Sequence, residues 1–308
     1  MQNFPSKILL FGEYSVVVGG NALAIPFDAY GGNFQFWDKN LEITESAKWS
    51  NHALKDFVKA IKRMTKKNDL SLQIDTKNFS KDLKRGLFFD SNIPKGYGLG
   101  SSGAVVAGIV SKYGANVLQK TAVLEVLQRE FAILESHFHG QSSGFDPLVC
   151  YLNQAVLKTT EGVQTIDVKL RKGGDRVLFL MDTELSRETG PLVKHFLKCL
   201  EEPAFDLFCR EELKPINNTC IDAFLEGNGV KLAQGMRMLS KLQWRYFSKM
   251  IPPHFQRHWK IGLESGIYTL KLCGAGGGGC MMGMTSTANW GLVKEAFGEA
   301  YLKEICRI

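Results

Sequence analysis

Four consecutive glycines, Gly276 to Gly279, stand inside the run Lys271-Leu-Cys-Gly-Ala-Gly-Gly-Gly-Gly-Cys280. Such a run suits neither a helix nor a strand and reads as bare backbone. Residues without a Cβ permit positive φ and let amide N–H groups approach a ligand that side chains would hold off. The chemistry this suits is anion binding. A flexible linker is the bland alternative. The flanks speak against it, because Leu270 and Leu272 precede the loop while Met281, Met282 and Met284 follow it. A second glycine-rich element, Pro94-Lys-Gly-Tyr-Gly-Leu-Gly-Ser-Ser-Gly103, runs directly into the apolar stretch Ala104 to Ser111. That stretch reads as a buried helix whose first turn is fed by a glycine loop, with hydroxyls at the junction. Free N–H groups and the positive end of the helix dipole suit a triphosphate there, and Ser101 or Ser102 could reach a magnesium ion. Neither common nucleotide fingerprint is present: the Gly-Lys-Ser/Thr ending of the Walker loop is missing, and no acidic residue has the spacing of a dinucleotide fold.

Pro-x3-Gly-Leu-Gly-Ser-Ser, followed far downstream by Lys-Leu-x-Gly-Ala-Gly-Gly-Gly-Gly-Cys, resembles the GHMP kinases, and within that superfamily the mevalonate kinases most. Lys7-Ile-Leu-Leu-Phe-Gly-Glu-Tyr-Ser-Val-Val17 is similar to the family's first motif, and His139-Gly-Gln-Ser-Ser-Gly-Phe-Asp146 to the segment carrying its catalytic aspartate. Ser186-Arg-Glu-Thr-Gly-Pro-Leu-Val193 resembles the Arg-x-Thr-x-x-Leu-Val stretch of mevalonate kinases. The motifs occur in family order from residue 7 to residue 284.

The resemblance implies an α+β chain with the two-domain GHMP kinase fold, a ribosomal protein S5-like N-terminal domain over 1–172 and a ferredoxin-like C-terminal domain over 173–308. It implies ATP and Mg2+ as cofactors, and transfer of the γ-phosphoryl group to the primary hydroxyl of mevalonate, giving 5-phosphomevalonate for isoprenoid synthesis. Pro94, Gly96, Gly98, Leu99, Gly100, Ser101, Ser102 and Gly103, with Gly274, Ala275, Gly276 and Gly277, would hold the nucleotide. Ser102 and Glu135 would hold the metal, since a glutamate eleven residues before the aspartate pairs with that serine in the family. Asp146 would act as general base and Lys7 would contact both Asp146 and the phosphoryl group. Glu13, Tyr14, Arg187 and Thr189 would lie on the substrate side.

Each assignment has a plainer reading. Glu135 could be a solvated helix residue, Asp146 a turn-capping aspartate and Lys7 a surface lysine. Ser186 and Thr189 could cap the helix that begins near Leu192, whereas the Arg187 guanidinium could grip a carboxylate in bidentate fashion. Asp146 follows a Ser-Ser-Gly-Phe turn and precedes Pro147, which biases its backbone to a non-helical conformation. His137 and His139 lie two apart and complete no zinc site; His139 reads as part of a structural His-Gly turn. Three departures bear on the substrate. Tyr14 and Cys273 stand where mevalonate kinases commonly have histidine and threonine, and Gly103 where they have alanine. Gly-Glu-Tyr also occurs in phosphomevalonate kinases, so phosphomevalonate, or the substrate of another small-molecule GHMP kinase, is the alternative. A decarboxylase of the superfamily and a non-catalytic sensor are further readings; a sensor would be expected to have lost Lys7, Glu135 or Asp146.

The elements that must position these residues follow from pattern. Lys7 to Phe11 and Val16 to Val18 read as paired strands, and Leu70 to Ile74 and Gly86 to Phe89 as further strands. Ser101 to Tyr113 and Val123 to Phe138 read as helices. Ala155 to Lys158, Gln164 to Leu170 and Arg176 to Met181 read as strands. Helical patterns then run over Leu192 to Leu200, Asn217 to Leu225, Gly229 to Leu242 and Pro252 to Leu263, before a strand-loop-strand around Gly276 and a last helix from Trp290 to Leu302. The turn at Lys172-Gly-Gly-Asp175 marks the domain boundary.

A chain of 308 residues, 44% hydrophobic, has room for two cores. Its net charge of +7 comes from scattered lysines, which suits anionic substrates better than nucleic acid. The densest cluster, Lys59 to Lys67, ends an amphipathic helix with Leu54, Phe57, Val58, Ile61 and Met64 on its apolar face. Seven cysteines without a Cys-x-x-Cys pair read as reduced thiols. With no secretory signal and no apolar run of membrane-spanning length, the chain reads as soluble and cytoplasmic, with no membrane partner. Whether it forms a homodimer is left open.

Overall fold

A computed structural model describes residues 2–38, 42–115, 124–168, 173–186 and 189–308. The chain forms two compact units, each drawn from separate stretches. One comprises 1–7, 25–94 and 100–154, the other 8–24, 95–99 and 155–308.

Strands β1 (Phe4–Phe11) and β2 (Ala22–Phe36) are neighbours in a sheet and each contributes residues to both units. In the first unit, Gly32 to Phe36 of β2 pairs antiparallel with β3 (Leu87–Ser91). Among the described residues this unit also holds the helices α1 (Glu45–Lys66), α2 (Thr76–Lys84), α3 (Ser101–Tyr113), α4 (Leu124–His139) and α5 (Phe145–Leu152). The Thr44 hydroxyl caps α1 by accepting from the Ala47 N–H at 3.2 Å, and Leu54, Phe57, Val58 and Ile61 form its buried stripe. Lys59, Lys62, Arg63, Lys66 and Lys67 are exposed, a solvated face with basic residues at the helix end. Helix α3 is buried along its apolar middle, Gly103 to Val110 apart from the half-buried Val105, while Lys112 in its last turn is exposed. Gly108 lets it approach β2 and β3, since a Cβ there would lie 3.0 Å from Phe34 and 3.2 Å from Phe89.

In the second unit, Ala22 to Ala24 of β2 pairs antiparallel with β4 (Ala155–Lys158), which pairs with β5 (Val163–Ile166). After β6 (Arg176–Asp182) come α6 (Thr189–Cys199), α7 (Pro203–Phe208), α8 (Lys214–Glu226), α9 (Gly229–Tyr246) and α10 (Pro253–Ser265). Strands β7 (Tyr268–Leu272) and β8 (Cys280–Ser286), helix α11 (Trp290–Phe297) and β9 (Leu302–Arg307) end the chain. The four-stranded antiparallel sheet has the order β7-β8-β6-β9. Its core includes Phe179, Phe196, Phe247 and Trp259, each at most 1% exposed; full burial of one such side chain contributes roughly 1.5–3 kcal/mol.

The α+β reading holds, and several elements differ from the sequence pattern. Val16 to Val18 lies in a single 3-10 turn, Ser15–Val18, because Tyr14 at φ 61° and Gly19 at φ 79° bend the chain at both ends. Leu70 to Ile74 joins no sheet. The Ser71 and Leu72 N–H groups donate to the buried Glu130 carboxylate of α4 at 3.0 and 2.8 Å, which leaves only Ile74 bridged to Gly114. Asp146 is helical despite preceding Pro147. Gly144 caps α5 at φ 68°, and Pro147 falls in the first turn, where its missing N–H costs nothing. The strand expected over Gln164 to Leu170 is β5, and residues 169 and 170 lie outside the described residues. The last helix stops at Phe297, where Gly298 at φ 84° turns the chain into β9.

Candidate active site

In the first unit, β1 carries Lys7 inside the protein, 5% exposed. Its ammonium lies 2.9 Å from Oδ1 of Asp146, in the first turn of α5. The glycine loop ends directly over this pair. A Cβ on Gly100 would lie 2.8 Å from Lys7 Cγ, and one on Gly103 would lie 2.9 Å from both the Asp146 carbonyl carbon and the Pro147 nitrogen. Glycine at these positions lets the start of α3 press onto the ion pair.

Ser102, one residue into the same helix, donates from Oγ to Oε1 of Glu135 at 2.8 Å. The other Glu135 oxygen accepts from the Ser142 hydroxyl, and Ser142 in turn accepts from the Gly144 N–H at 2.9 Å. Burial pushes the Glu135 carboxyl up to about 7. The Asp146 charge adds to the rise, against hydrogen bonds from Ser142 and Ser102 and the Lys7 charge. The donor set is hard oxygen, a hydroxyl beside one carboxylate, which fits Mg2+ shared with phosphate oxygens. Nε2 of His139 stands 2.9 Å from Ser102 Oγ. His139 thus does more than shape a His-Gly turn, and Ser142, which no sequence motif singles out, also belongs to this cluster. The signal for His139 was its position four residues after Glu135, one turn along α4.

Along the loop, Gly96, Gly98 and Gly100 have φ of 77°, 73° and 75°, while Tyr97 and Leu99 between them stay at negative φ. Alternation of left-handed glycines with residues at negative φ is the backbone pattern of which anion-binding nests are made. Leu99 is buried and anchors the loop, Pro94 is half-buried, and Ser101 and Ser102 are half-buried at the helix start.

In the second unit, the run after β7 is a packed turn. A Cβ on Gly276 would lie 2.5 Å from the Met250 oxygen, on Gly277 2.7 Å from Leu192, on Gly278 2.8 Å from the Leu185 oxygen, and on Gly279 2.7 Å from the Tyr97 oxygen. All four have positive φ, as does Gly274 at 80°. The Gly277 N–H donates to the Met250 oxygen at 2.5 Å and the Gly279 N–H to the Leu185 oxygen at 2.6 Å. Gly274 and Gly277 are the half-exposed members, while Ala275 is buried.

Glu13 and Tyr14 sit against this turn. The Glu13 carboxylate is 2.6 Å from the Lys271 ammonium, and both side chains are at most 1% exposed. Burial pushes the Glu13 carboxyl up, opposed by the Lys271 charge. Tyr14 is 6% exposed and donates its hydroxyl to the Ala275 oxygen at 2.7 Å. Arg187 lies outside the described residues. Thr189 opens α6, and its side chain also lies outside them.

Residues 52–154 match the family described as GHMP kinases N terminal domain. No curated protein matches the sequence significantly. Among solved structures, L. major mevalonate kinase in complex with R-mevalonate is similar at 17% identity, with a TM-score of 0.64 over 99% of this chain and 95% of that one. Streptococcus pneumoniae phosphomevalonate kinase in complex with phosphomevalonate and AMPPNP is similar at 16% identity, with a TM-score of 0.62 over 99% and 98%. Lactococcus lactis galactokinase complexed with galactose is similar at 16% identity, with a TM-score of 0.66 over 99% and 92%. Residues 52–154 are a GHMP kinase N-terminal domain, and the chain has the fold of the GHMP small-molecule kinases.

Proposed function

We propose that this protein is a mevalonate kinase, transferring the γ-phosphoryl group of ATP to the primary hydroxyl of mevalonate. The observation that carries the reading is the Lys7–Asp146 ion pair at 2.9 Å, roofed by Gly100 and Gly103 of the loop that opens α3. The Asp146 carboxylate accepts the proton of the attacking hydroxyl, whose oxygen forms the new bond to phosphorus as the bond to ADP breaks. Lys7 orients Asp146 and stabilises the charge that develops on the transferring group. The Pro94 to Gly103 loop holds phosphate oxygens through backbone N–H groups and the α3 dipole, with the Gly274 to Gly277 turn as the second nucleotide element. Ser102 and Glu135 would hold Mg2+, which would supply neutralisation of phosphate charge. Arg187 and Thr189 are assigned to the acceptor carboxylate on the motif resemblance. Residues 1–172 and 173–308 are read as the family's two domains. Among the described residues no helix is long and apolar enough to cross a membrane. All seven cysteines are free, which suits work in a reducing cytoplasm.

Phosphomevalonate is the second reading, favoured by Tyr14 in Gly-Glu-Tyr. An ADP-release assay with ATP and Mg2+, offering mevalonate, phosphomevalonate, homoserine and galactose in parallel, decides the matter. Turnover with mevalonate alone supports the proposal. Turnover only with phosphomevalonate moves the enzyme one reaction further while keeping the mechanism.

A further inference from the structure

We infer that Glu13 and Tyr14 are positioning residues for the nucleotide, a latch that sets the Cys273 to Gly277 turn, rather than contacts to the acceptor. The inference rests on the kinase reading and names what these two residues do within it.

The Gly12-Glu13-Tyr14 turn is strained in a way that serves the latch. Gly12 has φ 123°, and a Cβ there would lie 2.5 Å from that of Ala22; Tyr14 holds φ 61° without being glycine. The turn delivers consecutive side chains to consecutive residues of the glycine-rich turn, Gly274 and Ala275. Glu13 Oε1 meets the Lys271 ammonium at 2.6 Å and the Gly274 N–H at 3.5 Å, and Lys271 also donates to the Leu272 oxygen at 2.7 Å. Tyr14 reaches the next residue, Ala275, through its hydroxyl, while its ring lies 4.5 Å from Phe196 and 5.4 Å from Phe247. With at most 1% of the Glu13 side chain exposed, its carboxylate is not available to a soluble acceptor.

A buried ion pair adds little net stability, because desolvation of both charges offsets their attraction. Its consequence here is geometric. The carboxylate, the ammonium and the tyrosine hydroxyl fix the carbonyl of Leu272, the N–H of Gly274 and the carbonyl of Ala275, and so fix which way the intervening peptide planes face. Glycine backbone has no side-chain packing of its own to do this.

The test is calorimetric titration of the whole chain with AMPPNP and Mg2+, paired with steady-state kinetics. Tyr14→Phe keeps the ring stacking and removes only the hydroxyl. It is expected to weaken AMPPNP binding and raise the ATP KM by about five- to tenfold, with the acceptor KM unchanged and thermal stability nearly so. Glu13→Gln alone strands the buried Lys271 ammonium and is expected to impair folding, so the double variant Glu13→Gln/Lys271→Met is the informative one. It should fold and still show the nucleotide defect. Wild-type AMPPNP affinity in Tyr14→Phe and the double variant, or a rise in acceptor KM alone, overturns the latch. A wild-type protein that binds no AMPPNP overturns the kinase reading itself, and the latch with it.

Discussion

Gly103 and Asp146 are in backbone contact: a methyl group on the glycine would stand 2.9 Å from the carbonyl carbon of the aspartate and 3.1 Å from its Cβ. The first turn of α3 and the first turn of α5 are thereby set by each other. The aspartate side chain is aimed at Lys7 by close packing of two helix starts as well as by charge.

Gly103→Ala is therefore expected to displace α5. The obstructing atoms belong to backbone and have no rotamer to change, so the cost should be about 1–3 kcal/mol in urea unfolding, with a fall in kcat. Alanine is the residue that mevalonate kinases commonly carry here, so unaltered stability and turnover would show that α5 can move back without loss.

Asp146→Asn removes the proton acceptor while leaving the helix start intact. Turnover should fall by about 10²- to 10⁴-fold, with AMPPNP affinity retained. Lys7→Met keeps the stem beneath Gly100 and deletes the charge, and should also lower kcat steeply. Near-normal turnover of the Asn variant in the ADP-release assay would remove Asp146 from the base role.

Glu135 predicts a pH dependence of stability. Its folded pKa of about 7 lies above the ordinary 4.5. In the window between them the unfolded chain ionises first, so without divalent metal stability falls as pH rises from about 4.5 to about 7. The size is on the order of 3 kcal/mol. Mg2+ favours the ionised form and should reduce the fall, and Mg2+ affinity should weaken below about pH 7. In urea midpoints measured against pH with EDTA present, Glu135→Gln should flatten this part of the curve. A variant curve parallel to wild type would contradict the assignment.

Cys273 is 2% exposed and its Sγ lies 3.8 Å from the Leu9 oxygen. Threonine, the residue mevalonate kinases commonly carry there, supplies a hydroxyl donor to the same carbonyl, so Cys273→Thr should change the ATP KM by less than about twofold. A larger loss in kinetics at saturating acceptor would mean the thiol shapes the turn.

The sequence by itself determined the parts whose signals are local. The glycine loop entering α3, with Ser101 and Ser102 in its first turn, follows from glycines that permit positive φ ahead of an apolar helical run. The apolar flanks of Gly276 to Gly279 become β7 and β8. The eleven-residue spacing of Glu135 and Asp146 places them on successive helices, one already read as a helix and one not. The tertiary structure decided what depends on partners remote in the chain. Glu130 takes the N–H groups of Ser71 and Leu72, so a strand-like pattern pairs with a side chain instead of a strand. Lys7 is buried because Asp146 answers its charge 139 positions away, and Glu13 because Lys271 does so 258 positions away. Burial of a charge requires a counter-charge brought by folding, and no local pattern names which residue that will be. The glycine run shows the same division. Its bareness is legible in sequence, whereas the atoms that demand it, on Met250, Leu192, Leu185 and Tyr97, are brought there only by the fold.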